Sequence, residues 1–287
     1  MQWHPLFAQL LRPIVEEFYD VQLNVPVGEA PREADIVLLQ RKTAHARPFK
    51  GVWSGLTVWS ILEFKSPTVV PAVRDIDLLA ELGLGIDRRL NERRVRDRLQ
   101  PLRPHDVSFW YLANRLSKRF LRQCEERLGS LSPSGVGVWQ AGLLQRQVFL
   151  VSNTDLPVDA ESLPLHVVSH GRRETELTVA RYVIEHSEVR KQYAPWLLTL
   201  HNQAWTEART MSHTTDELEF DIRPAIEYLG LDRVIEQVGL EQVIKQVGLA
   251  RLVDEIGLER VLAHVGMDRL LASLTPAQRR ELKRRLR

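Results

Sequence analysis

Apolar positions near the start of the chain recur at helical spacing. Phe7, Leu10, Leu11, Ile14 and Phe18 fall three and four apart, which predicts an amphipathic helix over residues 3–19. At about 100° per residue, such a helix sets Glu17 at the edge of its apolar stripe, beside Leu10, and turns Glu16 away from it. Pro13 bends that helix or marks a later start. The period then changes. Residues 21–27 alternate loosely and read as a first strand, closed by the turn Gly28-Glu29-Ala30-Pro31. Apolar and β-branched runs at 35–40 and 59–64 predict the next two strands, separated by an irregular stretch over 41–55.

Residues 72–100 read as a helix punctuated by Gly83 and Gly85, crossing over to a strand at 107–112 built from Val107, Phe109, Trp110, Tyr111 and Leu112. A helix over 115–128, closed by Gly129, precedes strands at 136–144, 147–152 and 165–168. Because His166 and His170 then lie outside a helix, their four-residue spacing gives no metal pair. Residues 174–210 are helical, with a break near Pro195 and with Trp196 and Trp205 as packing residues. The expected fold is α/β, a mixed sheet flanked by helices over 1–212, with an all-α segment over 213–287.

That last segment is an internal repeat. Glycine recurs every nine residues at Gly230, Gly239, Gly248, Gly257 and Gly266, and apolar residues hold the second, fifth, sixth and ninth places of each unit. Leu231, Val234, Ile235 and Val238 show the frame in one unit; Met267, Leu270, Leu271 and Leu274 show it in another. One straight helix would turn successive apolar faces to opposite sides. A left-handed glycine at each junction resolves the conflict, so the pattern predicts two-turn helices wound into a superhelix. A single glycine-interrupted helix used for oligomerisation is the competing arrangement.

The strand at 59–64 also carries charge. Alternation puts Glu63 and Lys65 on one face, about 6.5–7 Å apart, with Leu62 and Phe64 facing the other way. An acid and a base on an otherwise apolar strand are costly to bury unless they are matched or hold something. Asp35, at the mouth of the neighbouring strand, would bring a second carboxylate. Two hard carboxylates at a sheet end suit Mg²⁺, which would polarise a phosphoryl oxygen and acidify a bound water, with the lysine orienting that water. The structural alternative is an ion pair guarding an edge strand. A bare Glu-x-Lys is weak, since Glu281-Leu282-Lys283 repeats it in the helical tail.

The ordering carries more. A helix with Glu16 and Glu17, a strand with Asp35, then a strand with Glu63-Phe64-Lys65 resembles the PD-(D/E)xK, or restriction-endonuclease-like, nuclease superfamily. Within it the chain looks most like the recombination-promoting nuclease and putative-transposase type proteins of bacteria. The resemblance covers roughly residues 1–200, with its motifs in the first 70. It implies a restriction-endonuclease-like core and makes Asp35 and Glu63 metal ligands, Lys65 the catalytic lysine and Glu17 an auxiliary ligand. It further implies Mg²⁺ as cofactor, with Mn²⁺ as substitute, and DNA as substrate. Ala34 stands where the superfamily's name has proline, with Pro31 three residues earlier.

A formal net charge of +2 is too small for a histone-like binder, so contact with nucleic acid must come from local patches. The stretch from Asp87 to Arg103 holds Arg88, Arg89, Arg93, Arg94, Arg96, Arg98 and Arg103, and the tail over 279–287 is also basic. Either is a phosphate-binding patch or a solvated helix face. The stretch over 41–55, with Lys42, His45, Arg47, Lys50 and Trp53, is a nucleic-acid contact or a variable hairpin. Cys124 alone excludes an intramolecular disulfide and reads as a core residue. No apolar run is long enough for a membrane span, and cytoplasmic location is the default. Phosphate-cradling, dinucleotide-binding and nucleophile-elbow motifs are missing. The expected function is a Mg²⁺-dependent DNA endonuclease. The alternative is a binding or oligomerisation module that keeps the nuclease fold and acts through its repeats.

Overall fold

The computed structural model describes residues 3–23, 36–42, 49–212, 221–239 and 243, together with the backbone at 25–27 and 32–34. Its contacts divide into two units, Met1–Tyr182 and Val183–Arg287.

The first unit opens with helix α1, Trp3–Val15, which buries Leu6, Phe7, Leu10 and Leu11 along its apolar stripe. The helix runs through Pro13 and ends well before residue 19, because Tyr19–Gln22 forms strand β1. Residues 21–27, expected as one strand, are shared between β1 and a separate strand β2 (Val25–Val27), which makes a small antiparallel pair with β3 (Arg32–Ala34). Next come β4 (Ile36–Arg41), β5 (Trp59–Phe64), helix α2 (Val73–Arg96) and β6 (Val107–Ala113). Helix α3 (Lys118–Leu128), capped by the Ser117 hydroxyl and closed at Gly129, leads to β7 (Ser132–Gly135), β8 (Val138–Leu143) and β9 (Arg146–Ser152). Helices α4 (Leu163–Val167) and α5 (Arg173–Glu185) follow.

Among the described residues seven strands form one mixed sheet in the order β1-β4-β5-β6-β9-β8-β7. β1, β4 and β5 are antiparallel neighbours, whereas β5 to β6 is parallel, so the chain must cross over between them, and α2 is that crossover. The central strands β5 and β6 are buried on both faces. Ile36, Leu38, Ile61, Phe109 and Tyr111 pack with Ile76, Leu79 and Ile86 of α2 and with Phe120 and Cys124 of α3. On the other face Phe64 stacks on Phe7 of α1 at 5.1 Å, and Trp110 stacks on Phe149 at 4.2 Å. Cys124 is a core residue, its thiol pushed up to about 12 by burial.

Residues 165–168 correct a sequence expectation. They lie in and just after the short helix α4, because Pro164 in its first turn presets helical geometry and outweighs the β preference of Val167 and Val168.

The second unit holds α6 (Ser187–Leu200), α7 (Asn202–Met211), α8 (Arg223–Leu229) and α9 (Leu231–Val238). α6 contacts all three of the others. The helix breaks come at His186 and His201, while Pro195 sits inside α6, held between the buried Tyr193, Ala194, Trp196 and Leu197. α8 and α9 end at Gly230 and Gly239, whose φ angles of 82° and 86° are the glycine-favoured positive values. Their ψ of 145° is extended, unlike the left-handed helical value expected. The later repeats, from Gly248 on, and the basic tail lie outside the described residues.

Candidate active site

Glu63 is the penultimate residue of β5, and alternation places it on the α2 face of the sheet, following Trp59 and Ile61. It is 7% exposed. Its parallel neighbour on β6 is Tyr111, and its antiparallel neighbour on β4 is Ile36. Lys65 follows the strand, and its backbone N–H continues the ladder by donating to the Leu112 carbonyl at 2.8 Å. The Lys65 ammonium returns over the same face and lies 2.8 Å from Glu63 Oε1.

A second carboxylate meets that ammonium. Asp75 occupies the first turn of α2, and its Oδ1 lies 3.6 Å from Lys65 Nζ. Its Oδ2 accepts hydrogen bonds from the Ala72 N–H and from the Tyr111 hydroxyl, each at 3.0 Å. The helix start explains the first of these: an acid in the third helical position reaches back to the N-cap amide and satisfies a donor with no intrahelical partner. The Tyr111 hydroxyl is held in its neutral, donating form. Burial raises its pKa most, and the Asp75 and Glu63 carboxylates add to the effect.

The side chains of Glu63, Lys65 and Asp75 are only 9, 15 and 14% exposed. Burying charge is unfavourable unless partners compensate it. Here two carboxylates share one ammonium, so these three groups together carry one more negative than positive charge. Hard carboxylate oxygens at the end of a central strand are the donor type that a divalent cation such as Mg²⁺ takes.

The sequence-predicted residues fare differently. Glu63 and Lys65 come together as the alternation implied. Asp35 lies outside the described residues; the next residue, Ile36, pairs with Glu63. Glu17 is not brought to this place. It is exposed in the turn after α1, next to β1, whose Tyr19 pairs with Arg41 at the far end of β4 from Ile36. Five residues of strand separate those two ends, roughly 16 Å at about 3.3 Å per residue. The helix ends too early for the expected geometry, and a ligand in that turn cannot share an ion with Glu63.

Asp75 and Tyr111 are the members that sequence reasoning missed. Both left signals: Asp75 stands three residues after Ala72 in the first turn of a predicted helix, and Tyr111 alternates with Phe109 on a predicted strand.

The other candidate contacts resolve in part. Trp53 is buried, its ring nitrogen donating to the Glu161 carbonyl at 2.7 Å, so it is core and not a stacking surface. Residues 43–48, with His45 and Arg47, lie outside the described residues. In the arginine-rich stretch, Asp87 turns inward to a buried ion pair with Arg146, while Arg88 and Arg93 make exposed pairs with Glu92 and Asp97. A separate cavity of about 240 Å³, lined in part by Ser54, Ser134, Phe149 and Asp159, contains none of the candidate residues. No helix among the described residues is long and apolar enough to cross a membrane.

Comparisons with family models, with curated proteins and with solved structures return no match.

Proposed function

We propose that this chain is a metal-dependent DNA endonuclease of the PD-(D/E)xK type, acting in the cytoplasm through Glu63, Lys65 and Asp35. The observation that carries the reading is the meeting of Glu63 and Lys65, 2.8 Å apart and nearly buried at the end of β5. The connectivity supports it as well: a helix, antiparallel strands, then a crossover helix to a parallel strand is the restriction-endonuclease-like order that the motifs imply. The structural alternative from the sequence, a charged guard on an edge strand, loses its basis because β5 lies inside the sheet between β4 and β6.

Glu63, with Asp35 as the second carboxylate, would hold Mg²⁺, with Mn²⁺ as substitute. The bound ion would supply a Lewis acid for the phosphoryl oxygen and a water of lowered pKa. Lys65 orients the attacking water and stabilises charge that develops on the phosphate. Burial of the group strengthens each of these interactions relative to water. The test is nicking of supercoiled plasmid by the purified full chain. Conversion to open circles with Mg²⁺ or Mn²⁺, stopped by a chelator, supports the reading; no cleavage with either ion overturns it.

A second reading draws on the C-terminal repeat. Gly230 and Gly239, nine residues apart, have nearly the same φ and ψ, so two successive units repeat in geometry as in sequence. The sequence frame recurs through Gly266, and in this reading the repeats serve as an interaction surface for a partner or a second copy. Light scattering of a chain ending before Asp216 tests it: unchanged assembly relative to the full chain overturns the interaction role.

A further inference from the structure

We infer that Asp75, braced by Tyr111, is a positioning residue that holds the Lys65 ammonium against Glu63. The inference rests on the hydrolytic reading for its consequence in catalysis, but its geometry stands apart from it. A lysine side chain has four rotatable bonds and a compact, strongly hydrated charge, so a single partner leaves it considerable freedom. Lys65 has two carboxylate partners on different elements, Glu63 on its own strand at 2.8 Å and Asp75 on α2 at 3.6 Å.

Asp75 is itself fixed. Both hydrogen bonds that anchor it fall on Oδ2, from the Ala72 N–H and the Tyr111 hydroxyl, which leaves Oδ1 directed at Lys65. Three rigid pieces therefore fix one ammonium: the end of β5, the first turn of α2 and the middle of β6. Tyr111 adds to this because it stands beside Glu63 in the parallel register. Its hydroxyl links the strand next to the lysine's own strand to the helix that covers both. The arrangement also explains why a tyrosine stands in an otherwise apolar face of β6: a phenylalanine would fill the space and leave Oδ2 of Asp75 with the amide alone.

In hydrolysis a lysine that orients a water must present its proton at a constant place. Removing an outer partner of a metal-site residue costs about 10–100-fold in activity. Asp75→Asn keeps the shape but removes the charge, so it should lower kcat within that range while leaving KM for DNA unchanged. Tyr111→Phe should produce a smaller fall, and Asp77→Asn, on the same helix but exposed and paired with Arg127, should produce none.

The experiment reads the lysine directly as well as through activity. The full-length protein and its Asp75→Asn, Tyr111→Phe and Asp77→Asn variants are acylated with limiting acetic anhydride, and labelling of Lys65 is measured by mass spectrometry relative to Lys118. An ammonium pinned between carboxylates reacts slowly, so labelling should rise several-fold in Asp75→Asn, less in Tyr111→Phe and not in Asp77→Asn. Unchanged Lys65 labelling in folded Asp75→Asn and Tyr111→Phe overturns the inference, whatever the activity. Raised labelling in a protein whose wild type cuts no DNA supports the positioning role and overturns the hydrolytic reading alone. Raised labelling with KM increased and kcat unchanged overturns the catalytic consequence, because it makes the group a DNA-binding contact.

Discussion

Gly83 of α2 lies so close to Phe109 of β6 that a β-carbon on the glycine would come within 2.8 Å of the ring. The glycine sets how tightly the crossover helix approaches the sheet, and Asp75 rides on the same helix. Phe109 is fully buried. Gly83→Val should therefore destabilise the protein by about 1–3 kcal/mol through overpacking. Thermal unfolding checks this; a melt equal to wild type would show that the helix is free to lift.

The buried pair Asp87–Arg146 joins α2 to β9. Asp87 accepts from Arg146 Nε at 2.8 Å and from Asn91 at 2.9 Å. Removing one partner strands a buried charge, so Arg146→Ala should cost about 3–5 kcal/mol. Arg88→Ala, which breaks a pair whose side chains are 69 and 58% exposed, should cost under about 1 kcal/mol. Denaturant unfolding of the two variants separates these outcomes, and equal losses would contradict the assignment of Asp87 to the interior.

Much of this was legible in the sequence. The alternation of residues 59–64 and 107–112, bracketing a helical stretch, gives the β5-α2-β6 crossover directly, and with it the shared face of Glu63 and Lys65. The placement of Glu17 was not, because a helical wheel assumes a helix that continues, and this one stops at Val15 to start a strand. Asp75 reads on its own as an ordinary first-turn acid. Only the parallel register that sets Tyr111 beside Glu63, and the approach of α2 permitted at Gly83, turns it toward Lys65. Tertiary pairing decides such matters, and no local spacing encodes it.

Glu161 should make stability depend on pH. Burial raises its pKa above the ordinary carboxylate value, opposed by the Lys50 N–H at 3.1 Å and reinforced by the charge of Asp159. A carboxyl raised in the folded state contributes stability below its unfolded pKa and loses it as pH rises through the folded value. Glu161→Gln, neutral throughout, lacks that loss. Wild-type stability relative to the variant should thus fall as pH rises above the ordinary carboxylate value of 4.5 and level off beyond the raised one. Urea unfolding across that window checks it; parallel curves would contradict it.

Gly239 has φ 86° and ψ 145°, and among the described residues, its chain neighbours aside, no atom lies within 4 Å of the place a β-carbon would take. The cost of Gly239→Ala is then conformational alone, about 1–3 kcal/mol. Helix content followed by circular dichroism on heating should fall earlier in this variant. An unchanged melt would mean that the junction readily adopts another conformation.

In the proposed hydrolysis, the carboxylate of Glu63 is required for cleavage of DNA with a divalent cation. Glu63→Gln tests it most directly, since the amide keeps the size of the side chain while removing its charge. The measurement is the rate of supercoiled plasmid nicking in Mg²⁺ by wild type and by Glu63→Gln, with both shown to be folded. Wild type should nick the plasmid and the variant should lose at least about 100-fold in rate, the scale on which one electrostatic contact to the transition state acts. Equal rates in the two proteins, or no cleavage by wild type, would contradict it.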